Sequence, residues 1–76
     1  MDAAEYSAAV AEVSARALEA LKEPRTTWDL KIELKVPHTV LHLALGRLLA
    51  ERKVALRPEG YVLVAERVRS AAPTAA

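Results

Sequence analysis

The sequence predicts a mainly α domain closed by a small β-hairpin, and three observations carry that prediction. Apolar residues recur at helical spacing in three successive stretches that run to about residue 52. Each stretch is separated from the next by a proline or a tight turn. After residue 53 the period changes, and two short β-branched or aromatic runs flank a segment containing proline and glycine. With 76 residues the chain forms one domain and buries only a thin core for its length.

From about Glu5 to Lys22, residues Tyr6, Val10, Val13, Ala17 and Leu21 fall on one stripe at 100° per residue, which predicts the first helix. Pro24 ends it, because the residue before a proline is pushed out of the helical region. Thr26 then offers an N-cap oxygen, with Asp29 three positions on as a weak capping box. A short second helix carries Trp28, Leu30, Ile32 and Leu34 and ends near Lys35. Val36-Pro37-His38 has room only for a tight turn, and Pro37 suits the first turn of the following helix. That third helix runs from about His38 to Arg52, with Val40, Leu41, Ala44, Leu45, Leu48 and Leu49 on the half-cylinder facing the core. Val54-Ala55-Leu56 and Tyr61-Val62-Leu63-Val64 predict two antiparallel strands. Between them, Arg57-Pro58-Glu59-Gly60 has proline and glycine at the second and fourth places of a type I turn. One core is expected to join Val13, Leu30, Leu41, Leu45, Leu48 and Leu63. The domain spans residues 1–69, and residues 70–76 lack periodicity and read as a disordered tail. Helix, helix, tight turn, helix and hairpin is the order of a winged helix-turn-helix, three helices plus a two-stranded wing.

The run Leu41-His42-Leu43-Ala44-Leu45-Gly46-Arg47-Leu48, followed by Lys53-Val54, resembles a small bacterial and archaeal winged helix-turn-helix family long catalogued as a domain of unknown function. Its members carry a similar leucine, alanine, leucine, glycine, x, leucine run and leave the third helix through a glycine-lysine-isoleucine type exit. The resemblance covers about residues 10–65. Arg47 stands where that family usually has an aromatic residue, and Arg52 where a glycine normally closes the helix. What the resemblance implies is the winged fold and, by analogy through the family's name, DNA binding.

Composition removes several chemistries. The chain has no cysteine, which excludes disulfides, thiolate catalysis and cysteine-based zinc sites. It begins Met-Asp-Ala-Ala-Glu-Tyr, without a positive leader region, and apolar stretches such as Val40 to Gly46 are too short to span a bilayer. A soluble, cytoplasmic protein with no membrane partner is expected. Ser7, Ser14 and Ser70 lie in the first helix or the tail with no base near them in sequence, and there is no glycine-rich phosphate loop. His38 and His42 have i, i+4 spacing but no evident third ligand, so no metal, cofactor, small-molecule substrate or catalysis is expected.

The net charge of +1 divides unevenly at Pro24. Before it, Asp2, Glu5, Glu12, Glu19 and Glu23 outweigh Arg16 and Lys22, a net of −3; the remainder carries nine basic and five acidic residues, a net of +4. A basic body of this kind fits a DNA-binding, transcription-regulator-like module. In that geometry the third helix enters the major groove with Thr39, His42, Leu43, Gly46, Arg47, Ala50 and Lys53 on its solvent arc. Arg47 would address guanine, Thr39 and His42 phosphate or base, and Arg57 the backbone from the wing, while Lys31, Lys35 and Lys53 hold phosphates of double-stranded DNA.

The same arc supports a protein-interaction reading without DNA. Thr39, Leu43, Gly46 and Ala50 form a stripe of small or apolar residues at i, i+4, i+7 and i+11. A mid-helix glycine costs about 1 kcal/mol relative to alanine, so Gly46 reads as a site of close approach, as a tolerated residue, or as a contact with the domain's own hairpin. On the first helix Ala4, Ala8, Ala11, Ala15 and Leu18 line a second apolar face suited to a homodimer, unless alanine simply serves there as the best helix former. Trp28 is expected to cover the core edge in preference to stacking on a base, and Tyr61 to pack.

Overall fold

The computed structural model describes residues 2–68, so the end of the predicted domain at Arg69 and the predicted tail lie outside the described residues. Three helices and three strands follow one another as α1 (Ala3–Ala20), β1 (Arg25–Thr26), α2 (Thr27–Leu34), α3 (His38–Ala50), β2 (Val54–Glu59) and β3 (Val62–Arg67). This is a mainly helical winged-helix layout, with the hairpin after the third helix. The strands form one antiparallel sheet in the order β1-β3-β2.

Helix α1 starts two residues earlier than the start expected near Glu5, because Asp2 caps it. The Glu5 N–H donates to Asp2 Oδ1 at 2.9 Å and the Asp2 N–H donates to Glu5 Oε1 at 3.0 Å, a reciprocal capping box. Strand β1 was not foreseen, since two residues are too short to show a period. It is held by its register against β3, Arg25 opposite Ala65 and Thr26 opposite Val64. Thr26 then caps α2 as expected, accepting from the Asp29 N–H at 3.0 Å. Helix α2 ends in Lys35, which takes the left-handed conformation at φ 56°. Pro37 is the N-cap of α3 and not a residue of its first turn; its φ of −63° is the value its ring enforces.

Helix α3 stops at Ala50, two residues short of the predicted end, in a Schellman arrangement. The Lys53 N–H donates to the Leu48 carbonyl at 2.8 Å and the Arg52 N–H to the Leu49 carbonyl at 3.0 Å. This places Arg52 at φ 60°, a conformation that costs a residue with a side chain roughly 1–2 kcal/mol and that glycine adopts freely. The hairpin turn also differs from expectation. Pro58 belongs to β2, opposite Leu63, and the turn is the two-residue Gly60-Tyr61, with Gly60 at φ 65°. Tyr61 has no positive φ, so the turn has the type II′ pattern, whose twist matches that of the strands it joins.

The core joins Val13, Ala17 and Leu21 of α1 and its end, Leu30 and Leu34 of α2, Val40, Leu41, Ala44, Leu45 and Leu48 of α3, and Val54 and Ala65 of the sheet. Five of the six expected core residues are buried. Leu63 is only half-buried: it shares a sheet face with Ala65 and Leu56 but lies nearer the hairpin tip. Leu49, placed on the core side in sequence, is 46% exposed, because it lies about 100° round the helix from Leu48. Tyr6 is exposed as well, since every residue from Asp2 to Ala8 lies outside the packed region. On the short α2, Leu30 and Leu34 turn inward, which directs Ile32 and Trp28 outward, each 58% exposed. Trp28 therefore does not cover the core edge, and Tyr61, at the tip of the hairpin, is fully exposed and does not pack.

Candidate interaction surface

The sheet and α1 pack on the inner face of α3 and leave its other side to solvent. Thr39, His42, Leu43, Gly46, Arg47 and Ala50 of the arc expected from the sequence are exposed, as is His38 beside them; Lys53 is exposed too, but it lies past the end of α3 and not on the helix. Local geometry orders its first turns: His42 Nδ1 lies 2.9 Å from the His38 carbonyl, and the two rings are 4.2 Å apart at 34°. The contact requires the His42 proton on Nδ1 and turns Nε2 away from the helix backbone. His38, Thr39, His42 and Leu43 line a shallow depression of about 440 Å³. Further along, a methyl group placed on Gly46 would meet nothing within 4 Å. The glycine makes no close contact with the domain's own hairpin.

Charge on this surface is internally matched. Arg47 Nε lies 3.3 Å from Glu51 Oε2, and Lys53 Nζ lies 3.4 Å from Glu51 Oε1, so one carboxylate serves both cations. The Arg47 guanidinium, hydrogen-bonded to it, holds the Glu51 carboxyl below its ordinary value, and Lys53 acts in the same direction. On the wing, Arg57 is paired with Glu59 at 2.9 Å and also with Glu66. Arg57 and Glu66 belong to the sheet face away from the core, and Glu66 stands two places along β3 from Val64, the residue opposite Arg57. Three of the cations expected to meet phosphate are thus each placed on carboxylates of this chain. Of the other two, Lys31 Nζ lies 5.8 Å from the Trp28 ring centre, and Lys35 has no carboxylate within 4 Å among the described residues.

The alanine face of α1 is a separate surface. Ala4, Ala8, Ala11 and Ala15 are exposed, whereas Leu18 is half-buried against the core and contributes only its edge. Sequence reasoning missed the pair Trp28 and Ile32. Their signal was present in the spacing: they are i, i+4 on α2 and offset by two residues from the buried pair Leu30 and Leu34, which puts them about 160° away on the helix. Among the described residues no three His, Asp or Glu side chains gather to hold a metal ion, and no helix is long and apolar enough to cross a membrane. Comparison of the chain with protein-family models, with curated proteins and with solved structures finds no match.

Proposed function

We propose that the protein is a non-enzymatic winged-helix interaction module that docks another protein on the outward face of α3. One observation carries this reading. Leu43 is 50% exposed at the centre of a face otherwise made of Thr39, Gly46, Ala50 and two histidines, and the permanent cation beside it, Arg47, is paired with Glu51. Apolar side chains at a face centre with charge held at the rim describe a protein interface better than a groove-reading helix, which wants free donors at base edges. Exposed Trp28 and Ile32 on α2 add apolar area of the kind that anchors protein contacts. Self-association through Ala8, Ala11 and Ala15 of α1 fits the same module, because small residues let two helices approach closely and a thin core gains from added burial.

A second reading, double-stranded DNA binding by a cytoplasmic transcription regulator, is favoured by Lys35, which has no carboxylate partner among the described residues beside the turn into α3. Ion pairs at an exposed surface are worth only about 0–1 kcal/mol, so phosphates can compete for Arg47 and Arg57. Chemical-shift titration of the labelled protein with a mixed-sequence duplex at low salt decides between them. The protein-docking reading expects no saturable shifts on α3 or the hairpin and expects Leu43→Glu to abolish partner capture. Saturable shifts at Thr39, His42, Arg47 and Arg57, weakening steeply with salt, would replace it with DNA binding.

A further inference from the structure

A groove at the root of the hairpin, distinct from the α3 face, combines four cations with apolar side chains. It has a volume of about 640 Å³ and is bordered by Lys22, Arg52, Lys53 and Arg67, with Leu18 and Leu21 beneath them. These cations come from three places in the chain: the segment after α1, the segment after α3, and the last residue of β3. Among the described residues no carboxylate borders this groove; Glu19 and Glu33 lie in an adjoining depression that Lys22 and Arg67 also line. Lys53 is engaged by Glu51, but Lys22, Arg52 and Arg67 have no carboxylate within 4 Å among the described residues. Like charges gathered on one groove repel one another, and an anion bound among them relieves that repulsion.

Arg52 adds an independent observation. It occupies the left-handed position that closes α3, at φ 60°, where glycine would be free of strain. Lys35 closes α2 in the same conformation, so the position is an ordinary helix ending; what Arg52 adds is a guanidinium, where glycine would be unstrained, bordering the basic groove.

We propose that this groove is a binding site for a small polyanion carrying linked phosphates, such as a nucleoside polyphosphate. Two guanidinium groups offer the paired donors that match phosphate oxygens. Exposed Val68 and the half-buried Leu18 accept the apolar part of the ligand, and the volume lies within the range of small-ligand sites. The groove sits where Val54 pairs with Arg67, six residue pairs from the turn, so the hairpin tip is about 20 Å away at roughly 3.3 Å per residue. A ligand there leaves the wing tip free.

The test is a titration of the labelled full chain, at matched ionic strength, with sodium tripolyphosphate, with ATP, and with a mixed-sequence DNA duplex. Tripolyphosphate and ATP are expected to produce saturable shifts at Leu21, Lys22, Arg52 and Arg67, with ATP the tighter of the two. Arg52→Gly is the decisive variant, because it removes the cation while relaxing the backbone; it should weaken ATP binding at least tenfold and leave the melting temperature unchanged or higher. Lys22→Ala should weaken binding several-fold, and Leu43→Glu should not affect it, which separates this site from the α3 surface. Shifts spread equally over Arg47 and Arg57, full affinity in Arg52→Gly, or a duplex that saturates the groove at lower concentration than ATP would each overturn the proposal.

Discussion

Gly46 and Glu51 occupy neighbouring turns of α3 and illustrate two different reasons for a residue's presence. A methyl group at Gly46 would enter open space, so Gly46→Ala should stabilise the protein by about 1 kcal/mol in a denaturant titration, through helix propensity alone. If the α3 face docks a protein closely at this point, the same substitution weakens partner capture while raising stability. Glu51 is the counter-charge of Arg47 and Lys53. Because its carboxyl titrates below the ordinary carboxylate value, its favourable interaction is fully present above that value and is lost as pH falls through the lowered one. A carbon-detected pH titration of Glu51 should show the depressed midpoint, and Arg47→Ala should return it towards the ordinary value. Glu51→Gln frees both cations: under the DNA reading it should raise duplex affinity several-fold at low salt, and under the protein-docking reading duplex binding should stay undetectable.

Elements hold together here through caps and through a few large side chains. The capping box of α1 satisfies helix N–H groups at an end that none of the other described residues covers, so Asp2→Ala should cost roughly 1 kcal/mol and fray the first turns, visible as faster amide exchange from Ala3 to Tyr6. At the centre of α3, Leu45 is 2% exposed and belongs to the core shared by all three helices and the sheet. Leu45→Ala should destabilise the fold by roughly 2–5 kcal/mol by denaturant unfolding, and a near-neutral result would displace Leu45 from the core. For a domain of this size that loss is a large share of the total.

At the scale of the whole molecule, the described residues leave three surfaces of the winged-helix layout uncovered: the α3 face, the α2 pair Trp28 and Ile32, and the alanine side of α1. The last bears on assembly. Placing glutamate at Ala11 or Ala15 would desolvate a charge in a helix–helix contact, so sedimentation should show the unmodified protein as a dimer and these variants as monomers. A monomer at high concentration in the unmodified protein would remove α1 as an interface.

The helices, their order and the hairpin were legible in the sequence because periodicity is a local property: an inward-facing stripe repeats whether or not the partner surface is known. The same is true of the arc of α3, since the apolar positions of a helix also define its opposite side. Tertiary structure decided what depends on distance between elements. Strand β1 exists only through its pairing with β3, and Pro58 lies in a strand because the turn closes at Gly60-Tyr61, where glycine supplies the positive φ. Sequence counts charges but does not pair them across strands, so it left Arg57 a free cation until the register brought Glu66 to it. The groove of Lys22, Arg52 and Arg67 joins residues up to 45 positions apart in the chain, and no spacing rule connects them. Burial followed the same division: the helical period chose the inward face of α1, and the extent of the packed core left Tyr6 of that same stripe exposed, because the helix extends past the other described residues that pack on it.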